Sequence, residues 1–381
     1  MMLTDWTLWL EWFIKSLVVI FALLTGFAYL TLYERRALAR IQSRIGPNRA
    51  GPQGLLQPIA DAVKLIFKEE LTPAKADKVL FFWAPIITMV PSIILAAVIP
   101  LGPENVNLFG RKVSLSVASI NVGVLYLMSI ASIAVYGIVL AGWSSNNKYA
   151  MLGGLRSSAQ MISYELSLGL MFVTAIILAN SMNLYDIINA QSNMWYAVVQ
   201  PVGALIFLIV TLAEVNRAPF DMPEAEQELT AGYHSEYSGM KFALFFMAEY
   251  QKMIAISMIA ATLFFGGYRE FWFLKDTFLS VDRFWWLGPI YLLLKVVVLL
   301  FFMIWIRATW PRIRYDRLMA FGWKILLPLS LVIAFITAAG VLLAESNPML
   351  IWSIPVVSII VGLFTVVIVY RELRRKAYER A

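Results

Sequence analysis

The chain has no cysteine. Disulfides, thiolate metal sites, iron–sulfur clusters and cysteine catalysis are therefore excluded. It has one histidine, His234, which argues against a multi-histidine haem or metal site. No glycine-rich phosphate loop follows a strand-like run, so the chain offers no nucleotide site. Charge is scarce too: 14% of the 381 residues are Asp, Glu, Lys or Arg, against 60% hydrophobic. That apolar share exceeds a soluble domain's, and long uncharged runs recur along the whole length, as in an integral membrane protein. The net charge of +7 then reports cytoplasmic loops rather than nucleic-acid binding. The N-terminus does not read as a cleavable signal, because Asp5 and Glu11 precede the apolar run and no small-residue cleavage site follows it.

A hydrocarbon core about 30 Å thick needs roughly 20 apolar residues in a helix. Nine runs are candidates: 13–33, 81–101, 117–142, 157–179, 198–214, 242–265, 285–306, 324–344 and 350–370. The fifth is short. Spanning segments in lipid must satisfy their own backbone groups, so helices are expected throughout. The expectation is an all-α integral membrane protein, one polytopic domain over 1–381, with about nine transmembrane helices and a long first loop carrying an amphipathic helix. Alternate loops, 34–78, 143–156, 214–241, 307–324 and the tail 371–381, hold 23 Lys and Arg, while the opposite loops hold five. The N-terminus is thus expected outside and the C-terminus in the cytoplasm.

The first cytoplasmic loop, 34–78, carries Gly46, Pro47, Gly51, Pro52 and Gly54, which impose a non-helical path. Residues 55–70 then place Ile59, Ala62, Val63, Ile66 and Phe67 at helical spacing, with Asp61, Lys64 and Lys68 on another face. That pattern suits a helix lying at the membrane surface. A short basic loop would serve only to fix topology. This long, Gly/Pro-stiffened loop, with Arg35, Arg36, Arg40, Arg44 and Arg49, reads instead as a surface for docking soluble subunits, since arginine suits buried interface pairing.

Ionisable residues inside spans are costly and usually functional. Glu165 lies in the fourth run, Glu214 closes the fifth, and Glu249 lies in the sixth with Lys252 three residues on. Lys252 and Arg307 also suit structural ion pairs or snorkelling. Short carboxylates such as Glu165 and Glu249 cannot snorkel far. Between the fifth and sixth runs, 214–241 forms an acidic cytoplasmic loop holding Asp221, Glu224, Glu226, Glu228, Glu236 and the histidine. Pro223 can start a short helix with Glu224, Glu226 and Glu228 at its electropositive end. A solvated capping face would account for such acids in an ordinary loop. Here they break the local positive-inside trend and adjoin intramembrane glutamates. Crowded carboxylates raise one another's pKa, which suits groups that exchange protons near neutral pH.

At these residues the chain closely resembles the quinone-site membrane subunit of respiratory complex I, the proton-translocating NADH:quinone oxidoreductase (called the H subunit in bacteria and numbered 1 in mitochondria). The resemblance covers about 29 to 323 and is strongest in E-R-R (34–36), R-I-G-P-N-R-A-G-P-Q-G (44–54), L-Q-P-I-A-D-A-V-K-L-I-F-K-E (56–69), S-Y-E-L (163–166), P-F-D-M-P-E-A-E-Q-E-L (219–229), G-Y-H-S-E-Y-S-G-M-K (232–241) and W-I-R-A-T-W-P-R-I-R-Y-D (305–316). It implies that Arg36, Asp61, Arg217, Glu224, Glu226, Glu228 and Tyr233 line or neighbour a quinone chamber, and that Glu165, Glu214 and Glu249 belong to a proton-coupling path. It implies quinone as substrate and no cofactor on this chain. NADH, FMN and iron–sulfur clusters would sit in partner subunits of a complex in the cell's inner, cytoplasmic membrane. Lipid, quinone and the other membrane and peripheral subunits are the expected partners, and nucleic acid is not. Ser132, in S-I-A-V-Y-G (132–137), departs from a glutamate that many relatives carry, as plastid and cyanobacterial relatives also do. The C-terminal run and basic tail, 350–381, lie beyond the best-matching region.

A related reading is the equivalent subunit of a membrane-bound hydrogenase or ferredoxin-linked ion pump. The R-I-G-P-N-R-A-G-P and P-F-D-M-P-E-A-E-Q-E blocks favour the quinone enzymes. A stand-alone transporter would be expected to show an internal repeat, and the two halves show none. Without cysteine or a cofactor motif, the purified polypeptide alone is expected to have no redox activity. Absorption spectroscopy checks this, and a flavin, haem or cluster band would contradict it.

Overall fold

The computed structural model describes residues 2–108, 111–222, 231–275 and 277–378. Among these, eight helices are long and apolar enough to cross a membrane, as the hydropathy pattern requires. They are α1 (Met2–Ile41), α3 (Lys78–Ile94, extended by a 3-10 turn to Ala97), α4 (Gly123–Ser144), α5 (Lys148–Ala179), α9 (Gly239–Phe264), α10 (Leu287–Thr309), α12 (Leu327–Ser346) and α13 (Ser353–Tyr378). Helix α12 continues a short α11 (Tyr315–Phe321) through one π turn, Gly322–Leu326. The chain is thus an all-α multi-pass membrane protein. Its described residues hold one small exception, an antiparallel pair of three-residue strands, β1 (Val106–Leu108) and β2 (Arg111–Val113).

The expected fifth crossing, 198–214, folds differently. It breaks at Gln200 into a one-turn α7 (Tyr196–Val199) and α8 (Pro201–Glu214). Proline cannot donate the helical hydrogen bond and pushes the residue before it out of helical geometry. The 14 residues of α8 reach about 21 Å at 1.5 Å per residue, short of a hydrocarbon core. Helix α6 (Leu184–Ala190) precedes it. The first helix also departs from expectation, continuing past 33 to Ile41 before Ser43 turns left-handed. Residues 34–41 are good helix formers, and the Gly/Pro signals begin only at Gly46.

Polar caps fix several starts. Asp77 accepts from the Val79 and Leu80 amides at 3.1 and 3.3 Å, and Asn147 accepts from the Tyr149 amide at 3.0 Å. The loop after α1 folds back on itself, with the Leu56 amide donating to the Ala50 carbonyl at 3.0 Å. Gly54 has φ +76°, and a Cβ there would lie 2.4 Å from the Pro47 carbonyl oxygen, so only glycine fits. Helix α2 (Gln57–Ile66) follows, with Ile59, Val63 and Ile66 exposed along it and Phe67 exposed just past its end.

Helix α5 packs against α4, α8 and α12, while α9 packs against α1, α3 and α10. Small residues let backbones approach where lipid supplies no hydrophobic drive between helices. Gly137 on α4 sits beneath α3, where an added Cβ would lie 2.1 Å from Thr88 Oγ1 and 2.9 Å from the Ala84 carbonyl oxygen. Gly137→Ala should therefore overpack the α3–α4 contact and destabilise the fold by about 1–3 kcal/mol. A thermal melt in detergent reads this as a lowered midpoint, and an unchanged midpoint would show that the contact yields.

Candidate functional site

The basic end of the bundle gathers charge from helices distant in sequence. Because α1 continues past 33, Glu34 is helical and only 2% exposed. Helix α8 ends at Glu214, also 2% exposed, and the chain then turns left-handed at Asn216. Gln160 of α5, fully buried, holds that turn. Its amide nitrogen donates to the carbonyls of Ala213 at 2.9 Å and Phe220 at 2.8 Å, and to Asn216 Oδ1 at 3.3 Å. The turn aims Arg217 into the protein, 3% exposed.

Arg217 stands at the centre of a four-group cluster. Its NH1 donates to Glu34 Oε1 at 3.2 Å, and its Nε pairs with Glu249 Oε1 at 2.6 Å. Its guanidinium lies 4.3 Å from the Tyr250 ring centroid. Arg307, from the end of α10, pairs with the same Glu34 oxygen. Two carboxylates thus meet two guanidinium groups. Burial works against the charge on Arg217, but the Glu249 and Glu34 carboxylates outweigh it and push the guanidinium above its ordinary range.

One turn along α9, Lys252 Nζ pairs with Glu214 Oε1 at 2.7 Å. Lys252 also borders two small cavities, of about 30 and 20 Å³. The first is lined by Thr88, Met161, Asn216, Tyr233, His234 and Glu249, among others. The second holds Glu214 and Glu165 among apolar side chains such as Leu127, Phe172 and Phe207. Glu165, in turn, hydrogen-bonds the Ser132 hydroxyl of α4. The series from Tyr233 and His234 through Glu249, Lys252 and Glu214 to Glu165 and Ser132 therefore follows two adjoining cavities that share one lysine. Such a series of carboxylates and an ammonium can exchange protons and shift ion pairs.

Tyr233 is buried, 3.9 Å from the His234 ring and 5.4 Å from Phe245 by ring centroids. Tyr237 stacks on Phe81 at 4.0 Å, and burial pushes its phenol up to about 12. Asp221 pairs with Arg312 at 3.1 Å. Asp61 of α2 pairs with Arg35 at 2.7 Å, which ties α2 to α1 and places Asp61 apart from the Arg217 cluster's own pairs. Arg36 is half-buried on α1, while Arg40, Arg44 and Arg49 are exposed. Glu224, Glu226 and Glu228 lie outside the described residues. Among the described residues, no three of His, Cys, Asp and Glu group as a metal site.

Glu34 is a site residue that the apolar pattern does not reveal, because the first apolar run ends just before it. The helix-forming stretch over 34–41 is the signal that could have found it. Arg307 and Lys252 are visible as charges at or within spans, but their partners, Glu34 and Glu214, come from other helices. Removing Arg217 would leave the buried Glu34 and the half-buried Glu249 with one cation fewer. Arg217→Met is expected to cost about 3–5 kcal/mol, as breaking a buried pair does. Adding Glu249→Gln to it should recover part of that loss. Thermal midpoints of the wild type, both single variants and the double variant test this, and strict additivity would mean the pair carries no coupling.

With the geometry in place, comparison with known proteins assigns a family. The family model described as NADH dehydrogenase matches residues 14–338. The chain is 48% identical over 338 residues to the NADH-quinone oxidoreductase H subunit of Thermomicrobium roseum, covering 86% of this chain and 95% of that protein. It is 50% identical over 323 residues to an H subunit of the same enzyme from Geobacter metallireducens, covering 85% and 94% respectively. It is 44% identical over 318 residues to the H subunit of Streptomyces avermitilis, covering 83% and 70%. The chain belongs to the NADH dehydrogenase family, among the H subunits of NADH-quinone oxidoreductases.

Proposed function

We propose that this chain forms, with peripheral subunits, the membrane-side wall and lipid-facing access of a quinone chamber, and that it carries the first part of the path coupling quinone reduction to proton translocation. The observation that supports this reading most is the series of ionisable groups lining two cavities that share Lys252. One end lies at Tyr233, which the acidic loop holding Glu224, Glu226 and Glu228 precedes in sequence. The other lies at Glu165, inside a membrane span.

On this reading electrons reach quinone from an iron–sulfur cluster in a neighbouring peripheral subunit, and NADH and FMN are also handled there. This chain holds no redox group of its own. Reduction of quinone to quinol consumes two electrons and two protons. A quinone gaining negative charge beside Glu224, Glu226 and Glu228 raises their affinity for protons by like-charge repulsion. Two unit charges about 4 Å apart interact by roughly 4 kcal/mol at an effective dielectric of 20, enough to reorder protons among coupled groups. Arg217 carries the change to Glu249 and Glu34, and Lys252 carries it to Glu214 and Glu165. The apolar face of α2, with Val63 and Ile66 exposed, suits a passage for an isoprenoid tail from lipid. Asp61 and Arg36 stand near its mouth. The exposed Arg40, Arg44 and Arg49, on or beside the Gly/Pro-stiffened loop, suit docking of peripheral subunits, as does the exposed Arg35, which pairs with Asp61. The side with these arginines is the cytoplasmic side of the inner membrane, with the N-terminus outside, as the Lys and Arg distribution supports.

Glutamine keeps a glutamate's shape and much of its hydrogen bonding but cannot ionise. Complex carrying Glu165→Gln or Glu228→Gln should assemble normally and lose quinone reduction and proton translocation together, by about tenfold or more. Wild-type turnover and pumping in both variants would leave these acids with structural roles only.

A further inference from the structure

Ser132 carries no charge, yet it is the polar partner α4 presents to Glu165. Its single hydroxyl proton has two acceptors within reach. One is a Glu165 carboxyl oxygen on α5. The other is the Met128 carbonyl, one turn back on α4, at 3.0 Å. One proton cannot serve both at once. The Met128 carbonyl already accepts the helical amide of Ser132, so it tolerates either outcome.

We propose that Ser132 is a positioning residue that keeps Glu165 hydrogen-bonded in both of its protonation states. This rests on the reading that Glu165 takes part in proton coupling. When Glu165 is ionised, the Ser132 hydroxyl donates to it and releases Met128. When a proton arrives on Glu165, the new carboxyl O–H donates to Ser132 Oγ, and the serine hydroxyl turns to Met128. Serine carries one proton before and after, so only Glu165 gains one. Departure of that proton reverses both turns.

The other charged groups lining this cavity cannot do this. Lys252 is donor-only and pairs with Glu214 at 2.7 Å, so it favours an anion. Glu214 is itself a carboxylate and is already engaged by that lysine. A hydroxyl both donates and accepts, and a rotation about one bond exchanges the two roles. It therefore holds the carboxyl in place in either state without the fixed bias that a charged partner imposes. A site that must load and unload the same proton needs that neutrality.

The test uses assembled complex in membranes with Ser132→Val, Ser132→Ala and Ser132→Thr, beside Glu165→Gln. Threonine keeps the hydroxyl, and valine keeps threonine's shape without it. Quinone reduction and proton translocation should fall about threefold to tenfold in the valine and alanine variants, the value of one hydrogen bond, and stay near wild type with threonine. Infrared difference spectra on quinone reduction give a second readout. The C=O band lost in Glu165→Gln should move to higher frequency in Ser132→Val and Ser132→Ala and hold its position in Ser132→Thr. Wild-type turnover in Ser132→Val and Ser132→Ala, with Glu165→Gln impaired, would overturn the role of Ser132 alone. Equal loss in all three serine variants with an unmoved band would reduce it to packing. Full activity in Glu165→Gln would remove the coupling reading and this proposal with it.

Discussion

A charge buried in a hydrocarbon-like interior without a partner costs several kcal/mol, and the basic end of this bundle is arranged around that constraint. Glu34, Glu214 and Arg217 are each no more than 3% exposed. None could be held there by its own helix. Glu34 of α1 is met by Arg217 from the turn after α8 and by Arg307 from α10. Glu214 is met by Lys252 from α9. The pairs therefore tie four helices and one turn together, and removing any member exposes another's desolvation cost. The turn after α8 is pinned by Gln160, because a guanidinium displaced by an ångström would miss both carboxylates.

On the proposed function, the same arrangement lets a rigid bundle respond. Close backbone contacts, such as α4 beneath α3 at Gly137, leave little room for helices to slide. The quantities free to move are then protons and ion-pair partners. Lys252 borders both cavities, so a change in the charge of Glu249 on one side and of Glu214 on the other bears on the same ammonium group. Ser132 and Glu165 close the series with a hydroxyl and a carboxyl, the mildest polar pair in it. The charge is densest where the chain meets its acidic loop and thinnest within the membrane span, as desolvation demands.

Much of this is legible in the sequence. The apolar runs mark eight long spans, because roughly 20 apolar residues have no other stable use. Glu165 and Glu249 stand out as carboxylates too short to snorkel, and Glu214 as an acid closing a span. Other features are hidden for identifiable reasons. The expected fifth crossing shortens to α8 because Pro201 breaks the run at Gln200, and hydropathy averages across such a break. The strand pair β1–β2 is only three residues long on each side, below what a pattern can resolve. Glu34 looks like a loop residue because the apolar run stops at the charges that follow it, while helix propensity carries the helix on to Ile41.

The sequence by itself determined that the chain spans a membrane many times, which end of each span is basic, and which residue types are too costly to sit there without a task. These follow from composition and local periodicity, which each segment expresses independently of the others. Only the tertiary structure decided which charge answers which. Glu34 and Arg307 are separated by 273 positions, Glu214 and Lys252 by 38, and the polar partners Ser132 and Glu165 by 33. No local pattern encodes such pairs. They arise when helices pack and water leaves, because only then does an unpaired charge become expensive enough to select its partner.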